Sequence, residues 1–311
     1  MSVLICGSIA YDTIMVFHSQ FKRHILPEQI HILNVSFLVP EMRREYGGCA
    51  GNIAYSLKLL GGDPDIMATV GQDAEAYLAR LDKFGIHQRH IRQVPDTFTA
   101  QAFITTDLDD NQITAFHPGA MSYSHKNHVR EADGATLGIV SPDGKDGMFQ
   151  HVHGFAAQKT PFVFDPGQGL PLFSGEELLE CIDLATWCTL NDYEAQLVCD
   201  KTGKTIEQLA ERLEGLIVTM GAKGSMIYSH GQTTEIPCAP ATAVLDPTGC
   251  GDAYRGGLLY GLSNGWTLEK SARLASVMGS LKIASRGAQN YTATKDEIAS
   301  RFAACYGEQP W

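Results

Sequence analysis

The chain has 311 residues, 44% of them hydrophobic and 19% charged, which suits one large α/β unit with a sizeable core. A formal net charge of −11 and the lack of any Lys/Arg-rich run argue against nucleic acid as a partner, so phosphate would be held locally, by backbone amides, a few basic groups or a metal. No apolar run reaches the roughly 18–20 residues of a membrane span, and eight scattered cysteines without a C-x-x-C pair suggest free thiols in a reducing cytoplasm, with neither zinc nor disulfides.

Residues 2–9 form an apolar run that predicts a buried first strand. No basic segment precedes it, as one would in a secretory signal. Asp12 follows, at the edge where open α/β sheets collect ligands; a turn aspartate is the plain alternative. Residues 13–46 read as an irregular excursion with strand character over 31–40, and Arg43, Arg44 and Glu45 read as a solvated face. Gly47 and Gly48 then open a helix of small residues. Ile53, Leu57 and Leu60 fall at helical spacing, and Gly61-Gly62 ends it. The paired glycines let a ligand touch backbone. Asn52 either bonds nearby backbone or holds substrate hydroxyls.

Residues 65–70 predict a strand and 73–84 a helix. Residues 97–106 and 112–116 alternate, joined by 108–111, and predict a β-hairpin with one exposed face. Its Phe103 and Phe116 either line a flat apolar slot or pack the hairpin to the core. Short runs at 135–140, 149–152, 162–165, 184–190 and 215–220 mostly precede helical segments. That order predicts a parallel, helix-covered sheet. Asn191 and Glu194 stand three apart at a helix start, as a capping box or as oxygen groups for Mg²⁺. Thr219, Gly221 and Gly224 mark a turn that passes over phosphates or simply closes a hairpin. Residues 267–283 predict a helix, and so does the segment from 297 onward.

Residues 244–257 read VLDPTGCGDAYRGG. Asp246 ends an apolar lead-in, Pro247 and Thr248 turn the chain, and Gly249 and Gly251 allow tight backbone before a small-residue helix. Unpaired N–H groups at such a helix start, at the positive end of its dipole, make a phosphate site. Asp252 at the mouth of the same helix is odd for a pure phosphate cradle. It suits a base that takes the proton of an attacking hydroxyl while the loop amides stabilise the transferred group. An acid completing the helix cap is the plain alternative. Cys250 sits where a helix start favours a thiolate.

Asp12, Gly47-Gly48 with Asn52, Asn191 with Glu194, the 219–224 turn and the 246–257 loop follow one another in an order that resembles the ribokinase (PfkB) family of sugar and nucleoside kinases, over nearly the whole chain. The resemblance implies a ribokinase-like α/β fold: a doubly wound, mostly parallel sheet with helices on both faces, plus a small β-sheet lid. The core would take 1–14, 47–96 and 119–311, and the lid 15–46 and 97–118. The implied reaction moves the ATP γ-phosphate to a hydroxymethyl group. Asp252 would be the base, and the amides of Gly249, Cys250 and Gly251 the anion hole. Asn191 and Glu194 would organise Mg²⁺ through water, and Asn191, Thr219, Gly221 and Gly224 would border ATP. Asp12, Gly47, Gly48 and Asn52 would hold sugar hydroxyls. The family often binds a monovalent cation beside the loop; Asp246, Thr248 and carbonyls of 285–290 would be the place for K⁺.

The loop reading Thr-Gly-Cys-Gly-Asp-Ala-Tyr-Arg, and a purine slot from Phe103 and Phe116 with Ser8 and Gln168 as polar contacts, look more like the adenosine-kinase branch. Adenosine would then be converted to AMP, with ribokinase or fructokinase activity as the alternative. Neither a Walker A loop nor a first-strand G-x-G-x-x-G is present. The expected partners are ATP and a nucleoside or sugar, bound by a cytoplasmic monomer or homodimer.

Overall fold

A computed structural model of the chain describes residues 2–25, 34–109 and 111–311. The strands are β1 (Ser2–Cys6), β2 (Ala10–Val16), β3 (Glu41–Gly47), β4 (Asp63–Val70), β5 (His87–Gln93), β6 (Ala100–Thr106), β7 (Gln112–His117), β8 (Ala135–Val140), β9 (Phe162–Phe164), β10 (Trp187–Asn191), β11 (Gly215–Thr219), β12 (Ser225–Ser229) and β13 (Gln232–Ile236). The α-helices are α1 (Cys49–Leu59), α2 (Glu75–Lys83), α3 (Lys145–Gln158), α4 (Gly175–Leu184), α5 (Asp192–Thr202), α6 (Ile206–Ala210), α7 (Cys250–Ser263), α8 (Leu268–Lys282) and α9 (Lys295–Tyr306).

A nine-stranded sheet runs β13-β12-β11-β10-β9-β8-β1-β4-β5, parallel except that β12 pairs antiparallel with both β11 and β13. Alternation along β1 explains the layers. Val3 and Ile5 pack with α1, α2 and α7 to α9, while Leu4 and Cys6 pack with α3 to α6 on the other face. The expected doubly wound α/β fold with helices on both faces is what the chain adopts. β1 lies between β8 and β4, so the chain winds both ways from it. A cleft opens at such a switch point, beyond the carboxyl ends of the strands. Among the described residues, no helix is long and apolar enough to cross a membrane.

A four-stranded sheet, β3-β2-β6-β7, forms the lid. The apolar run over 2–9 therefore splits between two elements. β1 stops at Cys6, and Ile9 leads into β2 of the small sheet. Asp12 is not in a loop after β1 but midway along β2, paired with Glu45 and Ala102. The small sheet thus begins at Ala10, earlier than the boundary at residue 14. Arg43, Arg44 and Glu45 belong to β3, a strand hidden from sequence reading by its polar side chains. Residues 34–40 form no strand, and 31–33 lie outside the described residues, as does position 110 of the hairpin turn. The run at 149–152 is helical, within α3: Met148, Val152 and Phe155 are all buried, at spacings of four and three.

Directly paired residues share a face of a sheet. One row of the lid is Glu45–Asp12–Ala102–Phe116, and the next is Arg44–Thr13–Phe103–Ala115. The Glu45 end of the first row reaches the core, where Asn290 Nδ2 donates to Glu45 Oε2 at 2.7 Å, and Phe116 at its far end is exposed. Phe116 therefore shares the face of Asp12, and Phe103 lies on the opposite one. A single slot walled by both rings is ruled out.

The other structural device is close helix packing. A Cβ at Gly256 would meet Ser56 Cβ at 2.5 Å, and one at Gly257 would meet Ala275 Cα at 2.7 Å. These glycines let α7 settle against α1 and α8, as small residues at a helix contact do.

Candidate active site

The turn before α7 is built for tight backbone. Gly249 caps the helix at φ 77°, and a Cβ there would meet Ala288 Cβ at 2.7 Å. The Cys250 N–H is already used, donating to the Pro247 carbonyl at 3.1 Å. That corrects the expected anion hole, in which Cys250 supplied a donor. The N–H groups of Gly249, Gly251 and Asp252 remain for a ligand at the positive end of α7. Burial, with Asp246 and Asp252 nearby, pushes the Cys250 thiol up to about 11, with Lys282 opposing. Desolvation outweighs the helix start, so this is no reactive thiolate. All eight cysteines are free.

Asp252 stands in the first turn. Its Oδ2 accepts from Asn52 Nδ2 at 2.8 Å, across the α1–α7 contact. Asn52 Oδ1 in turn accepts from Gln289 Nε2 at 3.0 Å. Gln289 also reaches the Tyr77 hydroxyl at 2.7 Å, and Arg80 grips the Gln289 carbonyl at 2.6 Å. Both polar ends of Asn52 are thus used inside the protein, to orient the carboxylate. Burial raises Asp252 to about 6, opposed by the Asn52 bond and the Arg255 charge. A base with its proton affinity moved toward neutrality is better matched to accepting a proton. One turn on, Arg255 makes a bidentate pair with Asp165, Nε to Oδ2 at 3.0 Å and Nη2 to Oδ1 at 2.9 Å, with both side chains buried. The pair holds the end of β9 against α7.

Two cavities meet at this turn. A polar one of about 390 Å³ contains Gly249, Gly251, Asp252, Asn191, Glu194 and Gln168 in its walls. An apolar one of about 430 Å³ is bounded by Ala239, Val244, Gly279, Ile283, Cys250 and Gly224. Thr219, Gly221 and Gly251 line both. The apolar cavity suits a flat heterocycle, and the shared wall suits a phosphate chain leading to Asp252.

Asn191 and Glu194 form a true capping box. Glu194 N–H donates to Asn191 Oδ1 at 2.7 Å, and Asn191 N–H to Glu194 Oε2 at 2.8 Å. This leaves an amide donor on Asn191 and one carboxylate oxygen on Glu194 for the cavity. Among the described residues no group of three or more His, Cys, Asp or Glu side chains could hold a metal by itself. The oxygen set fits Mg²⁺ only as a partial shell, completed by phosphate oxygens and water.

Asp12, on β2 of the lid, has its carboxyl raised to about 6 by burial and then by Glu45 and Asp246. Gly47 must be small, because a Cβ would meet Asp12 Oδ2 at 2.6 Å. Gly48, at φ 83°, has the Ala10 N–H and Ser8 carbonyl against it. The Ser8 hydroxyl oxygen accepts the Cys49 N–H at 3.1 Å and so secures the start of α1. Gln168 is exposed in the polar cavity.

The expected cation place is already taken. Asp246 spends both carboxylate oxygens on backbone, accepting from Thr248 N–H at 2.9 Å and Gly287 N–H at 2.8 Å. Lys282 Nζ donates to the Asp246 carbonyl at 2.6 Å and the Ser285 carbonyl at 3.2 Å. The residues do not fit an added K⁺ there. Lys282, Arg255, Asp165 and Gln289 went unassigned in the sequence. The signal for Lys282 is its register on α8, where Leu274 and Met278, at spacings of eight and four, are fully buried. Arg255 and Asp165 carry no such mark, since each is plausible as a surface residue until the other is placed.

Comparison with known proteins gives one answer. Residues 11–295 match the pfkB family carbohydrate kinase pattern. The chain is similar to the nucleoside kinase of Burkholderia thailandensis, solved in complex with inosine, at 55% identity over 99% of each chain and a TM-score of 0.90. It is similar to the nucleoside kinase of Methanocaldococcus jannaschii at 30% identity over 97% of this chain and 98% of that one, with a TM-score of 0.87. The nucleoside kinase of Methanothermobacter thermautotrophicus is 32% identical over 96% of this chain and 98% of its own length. The family match takes in Asp252, its partners and both cavities, and the chain therefore belongs to the pfkB family of carbohydrate kinases and is an ATP-dependent kinase.

Proposed function

We propose that the protein phosphorylates purine nucleosides, moving the ATP γ-phosphate to the 5′-hydroxymethyl group of adenosine or inosine. The observation that carries this is the Asp252 carboxylate, held by Asn52 at the N-terminus of α7 where the two cavities meet. The nucleoside class is supported by the similarity to a nucleoside kinase solved with inosine and by Phe116 on the same lid face as Asp12.

In this reading the adenine of ATP enters the apolar cavity, and Thr219, Gly221 and Gly224 border its phosphates. Asp12, with Gly47 and Gly48 close behind it, holds the ribose diol. Asp252 takes the proton of the 5′-hydroxyl as that oxygen bonds to the γ-phosphorus, and ADP leaves with the electrons of the broken P–O bond. The amides of Gly249, Gly251 and Asp252 meet the charge on the transferring oxygens, where fixed donors act without reorganising. Asn191 and Glu194 would hold Mg²⁺ through water, and the ion would supply charge neutralisation to the phosphates when bound.

The test is ADP release measured with adenosine, inosine, ribose and fructose side by side. The expected kcat/KM for both nucleosides exceeds that for either sugar by about a hundredfold, the scale of one well-buried base contact. A preference for ribose or fructose would return the protein to the sugar kinases. Asp252→Asn keeps the shape and the Asn52 contact but cannot take a proton. We expect kcat to fall by about 10²–10⁴ while both substrates still bind within a few-fold. Retention of more than about a tenth of the rate contradicts the base assignment. The lid rows give a third expectation. Phe116→Ala should raise the nucleoside KM about tenfold with a smaller change in kcat, and Phe103→Ala should leave both near wild type. Equal effects in initial-rate assays would show that the face assignment does not govern binding.

A further inference from the structure

The family resemblance calls for a monovalent cation beside the turn that carries the anion-hole amides. In this chain a side chain holds that position. Lys282, the last residue of α8, is fully buried. Its ammonium touches the Asp246 and Ser285 carbonyls, and the Asp246 carboxylate is 3.9 Å away. A potassium ion and an ammonium carry the same charge and are similar in size. Two carbonyl oxygens beside a carboxylate suit either one, replacing part of the hydration around the ion or accepting N–H bonds of the amine. Both cannot occupy one hole, because like charges in contact repel strongly away from water.

We propose that the Lys282 ammonium is a permanent, covalently tethered substitute for the monovalent cation, so that catalysis needs no potassium; the catalytic half of this inference rests on the kinase function proposed above. Lys282 is a positioning residue. It acts through Asp246, whose backbone N–H donates to the Ile283 carbonyl at 3.2 Å and whose carbonyl accepts from the ammonium. These bonds lock residues 245–250 against the end of α8, and the turn carrying the Gly249 and Gly251 amides is held with them. The fixed charge also adds positive potential behind the phosphate site in a protein whose net charge is −11.

The test uses the whole chain in potassium, sodium or N-methylglucamine chloride at equal ionic strength, with kcat and the unfolding temperature as readouts. Wild type should give the same kcat within about twofold in all three salts, against the hundredfold scale of a lost anion-hole contact, and potassium should not raise its unfolding temperature relative to N-methylglucamine. Lys282→Met removes the charge and keeps the stem. In N-methylglucamine it should lose at least about tenfold in kcat, and potassium should restore most of that loss and raise its unfolding temperature. A wild-type rate or unfolding temperature that depends on potassium overturns the proposal. So does a folded Lys282→Met protein that is fully active without potassium, or one that responds to potassium in neither readout. The wild-type arm decides the question even where the variant does not fold. A protein inactive in every salt would sink the kinase reading, and the unfolding temperatures, which need no substrate, would still decide the cation question.

Discussion

The site depends on one hydrogen bond between helices that are distant in sequence: Asn52 of α1 to Asp252 of α7, at 2.8 Å. The bond forms only because α1 and α7 come unusually close, with Gly256 against Ser56. A larger residue at that contact would separate the amide from the carboxylate. The bond also has to be held from behind. Gln289 receives support from Arg80 and Tyr77 and presents its amide to Asn52, so the base is oriented by a chain of partners reaching α2. Such buried networks fix geometry when every member is satisfied.

Electrostatics explain why an acidic protein can bind phosphate here. Two cations stand beside the α7 N-terminus, and both are buried and paired. Arg255 is fixed by Asp165, and Lys282 by two carbonyls and the nearby Asp246 carboxylate. Neither is a flexible surface charge. Each contributes field without having to be ordered when the ligand arrives, which is the condition under which fixed charges help a transition state. The same enclosure raises Asp252 toward neutrality. Burial thus sets both the anion site and the strength of the base.

The sequence disclosed what is local. The turn at 246–252 was legible because a glycine at positive φ, a helix start and a misplaced acid all lie within a few residues. The parallel strands were legible as apolar runs, since both faces are covered. In the lid the β6–β7 hairpin was legible from its alternation, but β3 was not, because it reads EMRREYG and has almost no apolar face to betray it. Asp12 stands on a lid strand and not after the first core strand, since nothing in residues 2–9 marks the point where the chain passes from one sheet to the other. The capping-box and magnesium readings of Asn191 and Glu194 proved compatible, because a cap uses only part of each side chain. Long-range pairs such as Arg255 with Asp165, and Lys282 with Asp246, stay silent in a sequence: their meaning lies in the partner.

The central claim is that a buried carboxylate at the mouth of α7 takes the proton of the acceptor. The most direct measurement is the pH dependence of kcat at saturating ATP and nucleoside. Asp252 is raised by burial to about 6 and acts in its deprotonated form, so kcat should be constant above that value and fall tenfold per unit below it. Asp12, also raised to about 6 and proposed to hold the ribose, should then appear mainly in kcat/KM, making that profile steeper on the acid side. An Asp12→Asn variant should restore a single-proton slope in kcat/KM and leave the kcat limb in place. A kcat that stays flat from neutral pH down to about 4, the ordinary range of a carboxylate, would contradict the claim.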